Sequence, residues 1–306
     1  MKESFEVRVP ASTSNLGSGF DVVSAALSLY LTVRVTPGAS AGLTWDPPLD
    51  IPRADNILEA ALFETLRYLG QPDPPALRLS MDNPIPLQRG LGSSGAAIVA
   101  GIKIAETVTE RSLTTREILD LAYPLEGHPE NLAASLLGGW IICRTKGTLM
   151  EAEKIGTRPR WRYIVAIPDV TVSTKEAREI LPTSYSLQDT IFNLQRVALL
   201  VHAVHSDRGD LLKDATEDRI HQPYRAALVP GLPELLQRQE LDGELEDDLL
   251  SVSISGSGSA VLAIAAGHYD EIGQWMLSVL STAGTTAQYL VLNLDNEGAC
   301  VRPIRE

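Results

Sequence analysis

Cysteine is almost absent: the 306-residue sequence holds two, Cys143 and Cys300, and neither belongs to a CxxC pair. That excludes a disulfide framework and a cysteine-based structural zinc site, and it fits a reducing cytoplasm. Aromatic residues make up only 5% of the chain, and Trp45, Trp140, Trp161 and Trp275 are too scattered for a base-stacking platform. Basic residues are outnumbered, 26 against 39 acidic, for a formal net charge of −13. This balance argues against nucleic acid or an anionic membrane as partner, so an anionic ligand must be held by local donors or a metal. No run approaches the roughly 18 apolar residues of a membrane span, and residues 1–8 contain no apolar signal core. The reading is a soluble, untargeted cytoplasmic protein.

Hydrophobic residues, at 44%, suffice for a sizeable core, and the length predicts two domains or one large one. Phe5, Val7 and Val9 alternate with Glu6 and Arg8, and Leu31, Val33 and Val35 with Thr32 and Arg34, the period of half-buried strands. Helical periodicity follows over 56–69, with Ile57, Ala60, Ala61, Glu64 and Leu66 on one face, and over 93–108. Thr114 and Glu117 form a capping box for a third helix, which Pro124 is expected to end or kink. Strands are predicted over 140–144 and 163–167, on either side of a charged stretch with Gly and Pro, 146–160, that reads as a domain boundary. Beyond it, helices over 175–181, 188–205 and 269–283 intervene between strands over 252–254, 260–265 and 289–294, with a last strand over 299–304. The alternation has no regular repeat, so the fold class is α+β, with domains 1–157 and 158–306.

Gly90-Leu91-Gly92-Ser93-Ser94-Gly95 matches G-x-G-x-x-G, and Glu110 follows 15 residues after Gly95. The dinucleotide-binding reading nevertheless fails. The preceding DNPIPLQR (82–89) is no buried strand, and Glu110 ends a helix instead of a second strand. What remains is a small-residue loop opening a long helix, whose unpaired N–H groups and positive dipole end suit a phosphate. No Gly-Lys-Ser/Thr follows, so charge must be neutralised by Mg²⁺ or a distant basic residue, and a hydroxyl at Ser93 or Ser94 can reach a metal. Two further loops, 12–21 and 255–259, also combine Gly with Ser, and one nucleotide site built from several segments is the economical reading.

In this order the loops resemble the three signature motifs of the GHMP small-molecule kinases. PASTSNLGSGFD (10–21), GHPEN (127–131) with Gly138-Gly139, VSTKEAR (172–178) and IHQPYR (220–225) resemble the homoserine kinases in particular, and the likeness covers almost the whole chain. It implies two α+β domains, the first like ribosomal protein S5 domain 2 and the second ferredoxin-like, with the site in the cleft between them. It also implies transfer of phosphate from ATP, with Mg²⁺, to the side-chain hydroxyl of L-homoserine in threonine biosynthesis, by a homodimer. Carried over by residue, Arg89, Gly90, Leu91, Gly92, Ser93, Ser94 and Gly95 would cradle the ATP phosphates, and Asn56 would contact adenine. Ser94 and Glu126 would be the Mg²⁺ ligands. Asn15, Asp21, His128 and Asn131 would surround the substrate's amino and hydroxyl groups, Asp21 and Asn131 as the catalytic pair, with Thr174, Arg178 and Arg225 at its carboxylate. An anion for the ammonium and forked donors for the carboxylate are what a zwitterion requires.

Taken singly, these residues also carry plainer readings. Asp21 can cap a helix beginning near Val22, His128 can be a turn residue, and Arg178 and Arg225 can be solvated surface charges. The rival functions are a related kinase acting on mevalonate or a sugar, and a non-catalytic sensor of the same fold. Three positions depart from the homoserine-kinase pattern: Glu130 stands where that family usually has Asp, Pro124 lies two residues before Glu126, and Ser259 follows Gly258 where Pro is common.

Overall fold

The two alternating segments near the N-terminus pair with each other. Strand β1 (Phe5–Ser14) runs antiparallel to β2 (Val23–Pro37), with Val7 opposite Val33 and Val9 opposite Leu31. The computed structural model describes residues 3–50, 52–127, 129–146, 149–156, 159–238, 241 and 243–304. The sheet continues through β3 (Leu43–Trp45), β4 (Leu77–Asp82), β5 (Trp140–Lys146) and β6 (Leu149–Ile155). Strand β2 is long enough to serve two further neighbours: Thr32–Pro37 pairs with β4, and Val23–Ala25 with β5. These pairings also decide the fate of the chain near Val22. A strand forms there, so Asp21 caps no helix.

Four helices cover this sheet: α1 (Ile57–Tyr68), α2 (Ser93–Thr109), α3 (Thr115–Glu126) and α4 (Pro129–Leu137). The buried face of α1 is Leu58, Glu59, Ala61, Leu62, Thr65 and Leu66, while Ala60 and Glu64 are exposed, so the face is turned from the one the sequence predicts. Helix α2 buries Ala96, Ile98, Val99, Ile102 and Ala105, apolar nearly all round because it lies between α1 and the sheet. Helix α3 opens on the Thr114/Glu117 capping box and continues past Pro124 to Glu126, where the Gly127 N–H bonds Tyr123 O (2.8 Å). One missing N–H so near the end is tolerated, and Glu126 keeps its helical position. The charged stretch read as a boundary contains β6: its Glu153 and Lys154 are exposed, but Met150 and Ile155 are buried.

The second half supplies α5 (Thr174–Glu179), α6 (Leu187–His205), α7 (Leu212–Ala215), α8 (Gln222–Arg225), α9 (Leu232–Leu236), α10 (Gly243–Asp248) and α11 (Tyr269–Thr282). Its strands β7 (Arg162–Pro168), β8 (Leu249–Ile254), β9 (Val261–Ala265) and β10 (Ala287–Leu292) form an antiparallel sheet in the order β10-β7-β9-β8. Alternate residues of β7 serve different cores. Tyr163, Val165 and Ile167 join the core of the first sheet, whereas Ile164 and Ala166 pack in a second core with Met276 and Leu280 of α11. A strand buried on both faces reads as a continuous apolar run, as YIVAI does. Finally β11 (Cys300–Pro303) returns to the first sheet, with Val301 opposite Val7.

Candidate active site

Three small-residue loops meet at the start of α2. The Ser12 N–H donates to Leu91 O (3.1 Å), the Gly256 N–H to Ser14 O (2.9 Å) and the Ala260 N–H to Arg89 O (3.1 Å). The Ser255 hydroxyl donates to Gly90 O (2.7 Å). So close an approach explains the glycines. At Gly90 (φ +75°) a Cβ would lie 2.0 Å from Ser255 O, and at Gly92 (φ +67°) it would lie 1.9 Å from Ser12 Oγ. Gly92 is the N-cap of α2 and no side chain caps that end, which leaves the first-turn N–H groups for a ligand.

These loops border a cleft of about 710 Å³. Its lining includes Asn56, residues 89–94, Glu126, Asn131, Thr174, Arg178 and Arg225. Ser94 and Glu126, from α2 and α3, are in direct contact, with Ser94 Oγ donating to Glu126 Oε1 (2.8 Å). Burial raises the Glu126 pKa, and the Ser94 hydroxyl opposes the shift. Arg89 Nη1 is buried on this wall and has no hydrogen-bond partner among the described residues. A carboxylate, a hydroxyl and a buried guanidinium nitrogen beside an uncapped helix end suit a phosphate with a hard divalent cation.

Across the cleft, α5 and α8 carry the arginines. Arg178 grips Asp21 with two hydrogen bonds, Nη2 to Oδ1 (2.7 Å) and Nη1 to Oδ2 (3.0 Å). Burial lowers the Arg178 pKa, but the Asp21 carboxylate outweighs it and the net shift is upward. Arg225 is buried, donating from Nε to Ala177 O (2.9 Å) and from Nη1 to Gly256 O (3.1 Å). Burial brings its pKa down to about 10. Arg225 is therefore not the solvated surface charge it resembles in isolation, whereas Arg178 is exposed but held in an ion pair. Phe20, which the sequence reading passed over, lies under both guanidinium groups, 5.6 Å from Arg178 Cζ and 4.9 Å from Arg225 Cζ. An aromatic ring inside a Ser/Gly loop of an aromatic-poor chain was the available signal.

Asn15 and Asn131 tie the loops together. Asn15 Oδ1 accepts the Asp21 N–H (2.9 Å) while its Nδ2 donates to Gly256 O (2.8 Å). Asn131 Oδ1 accepts from Ser12 Oγ (3.0 Å) and its Nδ2 donates to Glu130 Oε1 (3.3 Å). Glu130 is itself buried, with Oε2 lacking a hydrogen-bond partner among the described residues. Its pKa is pushed up to about 7, chiefly by burial, with the Asp21 charge adding to the rise. Asn56 is the N-cap of α1 and lines the same cleft. Thr174 opens α5 beside its N-cap, Ser173. His128 lies outside the described residues.

Comparison with known proteins agrees with this geometry. Residues 56–139 match the family model described as the GHMP kinases N terminal domain. A homoserine kinase from Desulfitobacterium hafniense is 37% identical over 313 residues, 96% of this chain and 99% of that one. The homoserine kinase of Schizosaccharomyces pombe is 33% identical, with 98% of this chain and 99% of that one covered. In structure, the homoserine kinase from Cytophaga hutchinsonii superposes with a TM-score of 0.85 at 25% identity, covering 98% of each chain. Phosphomevalonate kinase from Streptococcus pneumoniae shares the fold, with a TM-score of 0.70 at 13% identity over 94% of this chain and 99% of that one. With relatives this similar along nearly its whole length, the chain belongs to the homoserine kinase family of GHMP kinases.

Proposed function

We propose that this protein is an ATP-dependent kinase that phosphorylates the side-chain hydroxyl of L-homoserine, yielding O-phospho-L-homoserine for threonine biosynthesis. The observation that carries the reading is one cleft walled on one side by an uncapped helix N-terminus and on the other by Arg178 and Arg225, with Asp21 clasped by Arg178. The first supports a triphosphate, the second a small zwitterion. A neutral sugar, or a hydroxy acid without an ammonium group, leaves part of the second wall unmatched.

Phosphoryl transfer asks the protein mainly for alignment and charge stabilisation. The N–H groups of the first turn of α2, with Arg89, receive the phosphates. Ser94 and Glu126 would hold Mg²⁺, whose role when bound is to neutralise charge on the phosphate oxygens. Arg225 is fixed by two carbonyls and supported by Phe20, so it meets the substrate carboxylate with little reorganisation. Asp21 faces the ammonium, and Asn131 and Thr174 complete the contacts. The homoserine oxygen bonds to the γ-phosphorus as the bond to the β-phosphate oxygen breaks. ADP leaves with that electron pair, and the hydroxyl proton passes to water. The grip of Arg178 on both Asp21 oxygens supports an orienting role for Asp21, since both oxygens are already held in place as hydrogen-bond acceptors.

The division at 157/158 is supported by the two sheets, whose strands span 5–155 and 162–292, with β11 returning across it. Cys143 and Cys300, both free thiols, support a cytoplasmic site of action. A homodimer is supported by an exposed apolar row along α6: Leu187, Ile191 and Leu194 are 76%, 45% and 62% exposed. The function is tested by ³¹P NMR of a reaction with ATP and L-homoserine. A phosphomonoester on the homoserine oxygen, equimolar with ADP, is expected; ADP without a phosphorylated amino acid would contradict it.

A further inference from the structure

We infer that Glu59 is a positioning residue that fixes which way the Asn56 carboxamide faces, and so sets the preference for adenine over guanine nucleotides. The inference rests on the reading of Asn56 as the adenine contact.

Glu59 is an unusual occupant of its position. It lies on the buried face of α1 with Leu58 and Leu62, is only 3% exposed, and does not line the cleft itself. A carboxylate taken from water is costly unless its oxygens are used. Here they are used on one neighbourhood. Oε1 accepts from Trp45 Nε1 (2.7 Å) and from Asn56 Nδ2 (3.3 Å), and Arg53 Nε stands 3.5 Å from Oε2. The Glu59 N–H in turn donates to Asn56 Oδ1 (3.2 Å). Glu59 therefore holds the Asn56 carboxamide at both ends, its main chain taking the oxygen and its side chain the nitrogen.

A carboxamide has two N–H donors and two lone pairs, and it can turn over at little cost when nothing distinguishes its ends. With one of each committed to Glu59, Asn56 retains one N–H and one lone pair in a fixed order. Ile57, Met81, Pro86 and Leu87 give the neighbouring cleft wall an apolar surface suited to a flat ring. Adenine offers an exocyclic N–H donor beside a ring-nitrogen acceptor, which matches that order. Guanine has an acceptor where adenine has its donor, and would set its oxygen against Asn56 Oδ1. Removing the Glu59 side chain takes away the bond at the nitrogen end and leaves the main-chain cap as the one contact from Glu59 that tells the two ends of the carboxamide apart.

The test is steady-state kinetics with ATP and with GTP, at saturating homoserine, for the native enzyme, Glu59→Ala, Glu59→Gln, Glu59→Met and Asn56→Ala. Glu59→Ala is expected to raise the KM for ATP about tenfold, the equivalent of one lost hydrogen bond, and to cut the ATP:GTP ratio of kcat/KM by a similar factor. The KM for homoserine should not move. Glu59→Gln, which keeps an acceptor oxygen, should restore both readouts, whereas Glu59→Met, which keeps the packing volume without an oxygen, should not, a contrast that simple loss of packing would not give. If the alanine variant does not fold, Glu59→Met takes its place. A native ATP:GTP ratio in the Glu59 variants, with that ratio lost in Asn56→Ala, overturns the role of Glu59 and leaves Asn56 as the adenine contact. A native ratio in Asn56→Ala as well overturns both.

Discussion

Asp21 and Arg178 stand 157 positions apart in the chain, yet their side chains close a two-pronged ion pair at the edge of the cleft. A carboxylate and a guanidinium held face to face are the mirror image of an amino acid's own charges. A zwitterion entering between them exchanges one matched pair for two, whereas a ligand with a single charge leaves a partner unmatched. Arg178→Ala should therefore raise the KM for homoserine about tenfold to a hundredfold while leaving the KM for ATP unchanged, as initial rates with each substrate varied in turn will show.

Ser94 and Glu126 make a second contact between distant elements of the cleft, beside the uncapped end of α2 where the phosphates are proposed to bind. Glu126→Gln keeps the shape and removes the charge. It should lower kcat on the order of a hundredfold and move the Mg²⁺ dependence of the rate to higher concentration, read by titrating the metal at fixed ATP. Loss of rate with an unmoved Mg²⁺ profile would contradict the assignment.

Gly90 tests the junction of the loops. Its backbone conformation disfavours a side chain, and a Cβ would collide with the main-chain Ser255 O, which cannot swing aside as a flexible side chain would. Gly90→Ala should cost about 2–5 kcal/mol, from left-handed strain plus overpacking, and lower the melting temperature measurably.

These loops were legible in the sequence because the chemistry that needs them also leaves a local mark: glycine where the backbone turns left-handed, serine where a hydroxyl must reach in. The strands at 5–9 and 31–35 were legible for the same reason, a period-two pattern on adjacent residues. Long-range geometry left no such mark. Nothing near Asp21 announces that Arg178 will clasp it, or that Phe20 will lie under two guanidinium groups. The resemblance supplied the residues of the proposed substrate wall, and the fold supplied their arrangement. Strand β6 was missed because Glu153 and Lys154 read as a solvated loop, although as an edge strand it can expose both. Glu59 was missed because an acidic residue in an amphipathic helix is ordinarily on the wet side.

Glu130 gives the protein a pH signature. Its carboxyl ionises near 4.5 in the unfolded chain and near 7 when buried, facing Asp21, Arg178, Arg225 and Cys143. Between those values the folded state binds the extra proton, so this group's contribution is fully present below about pH 4.5 and is lost as the pH rises through about 7. Urea denaturation across that interval should show Glu130→Gln holding its stability while the native chain declines relative to it. Parallel curves would contradict the buried placement of this carboxyl.

The central claim is that a phosphate-binding helix end and a zwitterion-binding wall share one cleft. Its most direct test is ADP release at saturating MgATP with L-homoserine, mevalonate and galactose compared as acceptors. The account predicts a kcat/KM for homoserine at least about a thousandfold above the other two, because only homoserine engages Asp21 as well as both arginines. A kcat/KM for mevalonate equal to or above that for homoserine, or no ADP with any acceptor, would contradict it.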